Sequence, residues 1–355
     1  MTLAGMRKAS RSFVIGVVIA ILVIAVVSLV LRDQLRCAGF PGPSVVSAEL
    51  PAGKATDRSL RIASWNVRNF PLDERPPDDD LGYSRRTNIC DFETALGRLE
   101  ADLLGLQEVN DIRRFQPILR RACGERPMDV RYSSEGGRFG QHLALAWDNS
   151  VLELVGKPIE IGELVLEPGM RPAFAGYFRS LRPGGLDFTC VVVHLESGRQ
   201  NFADRRRQNR ALASWVDNWI DETGDADIIV LGDFNTMGSP RGGIEGELQS
   251  VDAILGRVGL ERLDNKLGCT SYWEGEGERD GVQVPTLLDH VFIGGIEPET
   301  LMAPLAAWLH CARWQCEELI SRLGEEDGTF WDVSDHCPLT FEIRDANLEG
   351  QNSEF

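Results

Sequence analysis

The chain of 355 residues has no CxxC pair and no Cys/His spacing of the zinc-binding kind, which argues against a structural zinc module. It has no excess of positive charge: 37 Lys and Arg stand against 54 Asp and Glu, a formal net charge of −17. That balance argues against a broad basic face for tight, sequence-independent DNA binding, so a polyanionic ligand would need a local basic patch and a metal ion. There is no internal repeat, so repeat architectures are set aside. No serine or cysteine stands in an activated setting, which argues against a covalent nucleophile. Histidine is scarce, with five in the chain, so a grouping of histidines carries weight.

What is present begins with an apolar run. Residues 13–31, FVIGVVIAILVIAVVSLVL, carry no charge. As a helix the run would span about 28 Å, close to the roughly 30 Å of a bilayer's hydrocarbon core. It is longer than the apolar region of a cleaved signal peptide, and the following Leu31-Arg32-Asp33-Gln34-Leu35-Arg36-Cys37 offers no small-x-small cleavage site. The run is therefore expected to be an uncleaved transmembrane signal anchor. Arg7, Lys8 and Arg11 precede it, which places residues 1–12 in the cytoplasm and the rest on the periplasmic or extracellular side. Without residues 1–37, with their five basic and one acidic residue, the chain holds 32 basic against 53 acidic residues, a net of −21.

A Pro-, Gly- and Ser-rich stretch within residues 32–58 reads as a linker, residues 59–344 as the folded domain and 345–355 as a polar tail. Eight cysteines are present. Outside the cytoplasm they could pair, with Cys311 and Cys316 near enough in sequence to be partners, or they could be buried thiols.

Short apolar strands alternate with loops and a few helices. Strands are expected at 60–67, 102–109, 142–147, 151–161, 173–181, 187–195, 226–234, 286–293 and 339–343, with helices at 84–100 and 203–221. Many strands and few helices suggest sheet packed on sheet with helices outside. Polar residues stand where these apolar strands end: Asn66 in SWNVRNF, Glu108 in GLQEV, His194 in VVVHLESG, Asp233 and Asn235 in LGDFN. Asp289 in TLLDHVF falls in mid-strand, and Asp335-His336 lies just before the last strand. Taken singly, Asn66 reads as a turn residue and His194 as a structural hydrogen bonder. A carboxylate at the end of so apolar a strand as 102–109 needs a partner or a metal. Three of the five histidines (194, 290 and 336) fall in these segments, so they are read as one site.

The ordered set W-N, QE, H-L-x-S, GDFN, DH and SDH-x-P, over about residues 59–344, resembles the endonuclease/exonuclease/phosphatase superfamily. The resemblance implies an α/β four-layer sandwich with two central, mostly antiparallel sheets flanked by helices, and one or two Mg²⁺ or Mn²⁺ ions. It implies Glu108 as the main metal ligand, helped by Asn66 and Asp335. Asp233 would orient or deprotonate the attacking water and Asn235 would hold a phosphate oxygen. His336, oriented by Asp289, would contact the phosphate or move a proton, and His194 would donate to the phosphate or leaving group. Arg171 resembles an arginine that contacts substrate phosphate. One departure is Gln141, which stands about where deoxyribonuclease-type members have a glutamate supporting the first histidine. Arg199, Arg205, Arg206, Arg207 and Arg210 form the best basic patch for steering an anion, or simply a solvated helix face.

The leading expectation is a membrane-anchored phosphodiesterase acting on nucleic acid. A sphingomyelinase- or phosphoinositide-phosphatase-like enzyme acting on lipid headgroups is the second reading, and a domain that binds a phosphorylated ligand without hydrolysis is the third.

Overall fold

The most apolar runs, 103–109, 187–194 and 228–233, form strands covered on both faces. The computed structural model describes residues 51, 53–72, 86–274, 282–296, 300–320 and 328–347. In chain order the first elements are β1 (Ser59–Phe70), α1 (Ile89–Arg98), β2 (Leu103–Val109), α2 (Ile112–Ala122), β3 (Met128–Tyr132), β4 (His142–Asp148) and β5 (Leu152–Ile161). There follow β6 (Ala173–Ser180), β7 (Asp187–His194), α3 (Phe202–Thr223), β8 (Ile228–Asp233), α4 (Gly243–Leu255) and β9 (Glu261–Arg262). The last are β10 (Ser271–Glu274), β11 (Val282–Thr286), β12 (Asp289–Gly294), β13 (Leu301–Ala307), α5 (His310–Trp314), β14 (Leu319–Ile320), α6 (Gly328–Asp332) and β15 (Leu339–Arg344).

Two six-stranded sheets result, in the orders β13-β15-β1-β2-β4-β3 and β5-β6-β7-β8-β12-β9, with a small third sheet β10-β11-β14. Both large sheets are mixed. β1–β2 and β7–β8 are parallel, and the other neighbours run antiparallel. Side chains on a strand alternate faces, and the core divides accordingly. Ile62, Leu103 and Leu145 of the first sheet pack with Val192, Ile229 and Leu231 of the second. Their neighbours Ala63, Leu104 and Ala144 pack instead with Phe92 and Leu96 of α1 and Phe115 and Leu119 of α2. Val191, Val193 and Val230 pack with Leu212 and Val216 of α3 and Val251 of α4. Helix, sheet, sheet and helix are thus held by three apolar seams, in which each buried Leu, Ile or Phe contributes about 1.5–3 kcal/mol.

Several expectations are corrected. The strand read over 286–293 is two strands in different sheets. Leu287 and Leu288 make the crossing, and the backbone N–H groups of Leu288 and Asp289 donate to Thr270 Oγ1 at 3.0 and 2.9 Å. Asp289 therefore opens β12 rather than lying in mid-strand. The first helix starts at Ile89, because the Asn88 side chain caps it by accepting from Cys90 N–H at 3.1 Å. The linker ends earlier than residue 58: Lys54 and the Ala55 N–H already bind Asp102 and Glu342. The tail begins later than residue 345, because Asp345 is buried and accepts from Ser180 and the Leu186 N–H. Cys311 pairs with Cys337 and Cys316 with Cys269, not with each other. Cys90 is also disulfide-bonded, whereas Cys123 and Cys190 are free thiols. The expected anchor at 13–31 lies outside the described residues. Among those described, no helix is long and apolar enough to cross a membrane.

Candidate active site

The site lies where strand ends of the two sheets converge. In the second sheet, register puts His194 of β7 opposite Asp233 of β8, and Asp233 opposite Asp289 of β12. Gly232 makes this possible: at φ 133° its backbone lies so close to β7 that an added Cβ would run into the Val193 carbonyl. In the first sheet, Asn66 stands opposite Gln107. The pairing then shifts on both sides of β2, and Glu108 takes a left-handed backbone conformation, φ 65°, that turns its side chain out of the ladder. Asn69 (φ 51°) and Asn235 (φ 51°) are similarly wound beside it. Such strained backbone near one point is a mark of functional positions.

Hydrogen bonds tie these residues together. Asn66 Nδ2 donates to Glu108 Oε1 at 3.2 Å and to Asp233 Oδ2 at 3.0 Å, while its Oδ1 accepts the Arg68 N–H. Glu108 Oε2 accepts the Asn69 N–H at 2.8 Å, and Asp233 Oδ1 accepts the Asn235 N–H at 2.8 Å. His336 Nδ1 bonds Asp289 Oδ2 at 2.8 Å, leaving Nε2 3.9 Å from Asp233 Oδ2. His194 Nε2 lies 3.5 Å from Asp233 Oδ2 and 3.7 Å from Glu108 Oε1. The Trp65 indole donates to the His336 carbonyl, and Ser334 joins the Asn66 carbonyl to the His336 N–H. These bonds explain why the W-N and SDH segments occur together.

The protonation states are set by burial and by unbalanced charge. Burial, then the charge of Asp335, raises the Glu108 carboxyl above its usual range. Burial raises Asp233 as well, against the pull of His336, with Asp289 and Glu108 adding to the rise. Burial opposes a charge on His336, but Asp289, Asp233 and Asp335 outweigh it and keep the ring cationic. Burial, helped by Arg171 and His336, pushes His194 well below its usual value, so that ring is neutral. Asp289 Oδ1, Asp335 Oδ1 and His194 Nδ1 are buried with no hydrogen-bond partner among the described residues. Asp233, Asp289 and His336 also stand close enough to share an ion.

These groups open on a cleft of about 180 Å³, lined by Glu108, His194, Asp233, Asn235, Asp335 and His336 together with Arg171. Asn66 and Asp289 stand behind it through the bonds above. Asn235 Nδ2 is engaged with the Leu195 carbonyl at 3.0 Å. Gln141 does not support His194: its side chain joins the Asn69 amide oxygen to the Arg171 guanidinium, and Arg171 also reaches the His194 carbonyl at 3.4 Å.

The arginine patch divides. Arg205 is 0% exposed and binds Glu247 through two nitrogens at 2.7 and 3.0 Å, and the carbonyls of Glu196 and Gly198. It is a loop clamp and takes no part in steering. Arg199, Arg206, Arg207 and Arg210 are exposed. Arg138, Phe139 and Trp273 line the cleft as well. Arg138 and Phe139 were missed in the sequence because they sit in a glycine-rich turn, EGGRFG, with no apolar pattern.

The amino-acid sequence matches the Endonuclease/Exonuclease/phosphatase family over residues 63–336. No curated protein matches it. Among solved structures, an endonuclease/exonuclease/phosphatase family protein from Bacteroides thetaiotaomicron superposes with a TM-score of 0.50 at 16% identity, covering 82% of this chain and 98% of that one. Truncated TDP2 from Caenorhabditis elegans gives 0.52 at 18% identity, covering 82% and 100%. TDP2 from D. rerio, humanized by 14 mutations, gives 0.52 at 17% identity, covering 81% and 99%. At such identities the likeness is one of fold. The family match, which spans the segments from β1 to His336, carries the assignment: this chain belongs to the endonuclease/exonuclease/phosphatase family.

Proposed function

We propose that the chain is a divalent-metal-dependent phosphodiesterase acting on nucleic acid, with water rather than a side chain as the nucleophile. The observation that carries this reading is a cleft in which buried acids lack enough cations, beside one cationic and one neutral histidine. Burial and then the Asp335 charge raise the cost of ionising Glu108, and Asp335 Oδ1 has no partner among the described residues, which fits a hard divalent cation such as Mg²⁺ or Mn²⁺. Glu108 and Asp335 would hold it, with Asn66, whose Nδ2 donates to Glu108, helping from behind. When bound, such an ion draws charge off the phosphate oxygens and off the departing oxygen.

The chain's own residues supply the rest. Asp233, with its proton affinity raised toward neutrality, is suited to take a proton from the attacking water. The Asn235 N–H fixes one Asp233 oxygen, leaving Oδ2 toward the cleft. His336, held by Asp289, presents a charged N–H to a phosphate oxygen. Neutral His194 can donate through Nε2 to the phosphate or leaving group, and Arg171, braced by Gln141, can meet a further phosphate oxygen.

Anchoring by residues 13–31, with the domain outside the cytoplasm, belongs to the same proposal. The Cys269–Cys316 and Cys311–Cys337 bridges support an oxidising compartment. The apolar run also favours a second reading, hydrolysis of a lipid headgroup at the anchoring membrane. The test is a panel of DNA, RNA, bis(4-nitrophenyl) phosphate and lipid vesicles with Mg²⁺. Cleavage of nucleic acid, abolished by EDTA and by His336→Ala, is expected. Cleavage of lipid alone would favour the second reading, and no metal-dependent cleavage of any phosphoester would refute both.

A further inference from the structure

Large apolar side chains left in water are few among the described residues: Phe139, Val165, Leu181, Ile244, Trp273 and Trp314. Three are aromatic, and two of those three, Phe139 and Trp273, line the cleft. Neither sits on a loose segment. Phe139 is 65% exposed at the tip of a single tight turn closed by the Gln141 N–H on the Gly136 carbonyl at 2.8 Å. The turn is pinned by the Arg138 N–H on the Gly169 carbonyl at 2.8 Å and by the Arg138 guanidinium on Glu196 at 3.0 Å. Gly137 must be glycine, since at φ 65° an added Cβ would come within 2.7 Å of the Gly169 carbonyl. The Arg138 guanidinium lies over the Phe139 ring, 5.8 Å from its centre. Trp273 is 40% exposed and lies two residues after Ser271, which bridges His336. The buried Tyr272 beside it donates its N–H to the Asp335 carbonyl at 3.0 Å. One ring is thus built onto the Arg171 side of the cleft and the other onto the His336 side.

We propose that Phe139 and Trp273 are stacking subsites for flat groups on either side of the scissile phosphate, so that the cleft takes an unpaired nucleic acid strand in preference to duplex. The proposal rests on the phosphodiester reading above. In a duplex the bases stack on one another and offer no free face, whereas an unpaired strand can lay its bases on protein rings. Stacking also supplies affinity where charge does not: the chain beyond residue 37 has a net charge of −21, which repels a densely charged duplex. A membrane is the weaker fit for these rings. The cleft they line also holds Arg138, Gln141, Glu196 and Ser197, and the other large apolar residues left in water among those described do not line it.

The test uses the full-length protein with Mg²⁺ and oligonucleotides of one length: a single strand, its duplex, and a strand of abasic residues. The ordinary single strand is expected to have the lowest KM. Phe139→Ala or Trp273→Ala should raise that KM about tenfold, with kcat and cleavage of the abasic strand unchanged, and Phe139→Tyr should restore it. Equal KM for ordinary and abasic strands, or a preference for duplex, would overturn the stacking subsites. So would turnover of phosphatidylcholine or sphingomyelin vesicles that falls in Phe139→Ala. Cleavage of bis(4-nitrophenyl) phosphate with no base dependence would remove only this proposal, whereas no cleavage of any diester would remove the phosphodiester reading with it.

Discussion

At the start of β1 and β2, buried acids sit among donors that match them. Glu342 accepts from Ser59, the Ala55 N–H and the Arg61 guanidinium, and Asp102 accepts from Lys54 at 2.5 Å, Arg126 at 3.4 Å and the Arg61 N–H at 2.9 Å. Burial opposes the Glu342 charge, but these hydrogen bonds outweigh it and lower the carboxyl below its usual range. At the far end of β2, where the ends of β8 and β12 meet it, Glu108 and Asp233 are raised instead, and Asp335 and Asp289 each keep a buried oxygen without a partner among the described residues. β2 runs between the two ends, with the same apolar faces along it. The difference lies in whether the chain supplies the countercharge itself. One end is closed electrostatically and serves the fold, while the other is left short of countercharge, as the proposed metal ion and phosphate would require.

The largest effect that would separate the two ends is on rate. His336→Ala should lower kcat per folded molecule about 10³-fold or more, and because it strands buried Asp289 it should also cost some stability. Unchanged kcat per folded molecule would mean the open end is structural only. Next, Arg61→Ala should destabilise the fold by about 3–5 kcal/mol, because it strands Glu342, while activity per folded molecule is kept. Urea unfolding with parallel assays distinguishes the two.

Stability against pH, measured in EDTA, should also part the ends. A carboxyl raised on folding, such as Asp233 at about 7 from 3.8, binds more protons folded than unfolded, so its contribution falls as pH rises between those values. Asp233→Asn should therefore gain stability over wild type progressively across that window and most above pH 7. Glu342 works the other way: its contribution is present above about 4.5 and is lost as pH falls through its lowered value. A flat difference between wild type and Asp233→Asn would break the comparison. The smallest effect concerns neither end: Arg206→Ala, on an exposed helix face, should change stability by no more than about 0.5 kcal/mol, checked by the same unfolding curves.

Much of the open end was legible in the amino-acid sequence for the reason that defines it. An acid or histidine closing an apolar run, as in GLQEV, VVVHLESG and LGDFN, has no local partner. What escaped was decided at a distance. Leu287 and Leu288 look like strand, but they carry the chain from one sheet to another. Arg205 reads as one more cation on a basic face until Glu247, far along the chain, is placed against it. β13 contains Pro304 and no alternation, which an edge strand tolerates. α2 carries Pro117 within the helix. Gln141 marks in the sequence a departure from a supporting glutamate, but the bond it makes is set by where Arg171 lies.

The most direct test of an end left open for a metal ion is a Mg²⁺ titration of bis(4-nitrophenyl) phosphate hydrolysis by the wild type and Glu108→Gln. Turnover that rises with Mg²⁺, vanishes in EDTA and drops about 10²-fold or more in Glu108→Gln is expected. Turnover indifferent to divalent ions, or unchanged in Glu108→Gln, would contradict it.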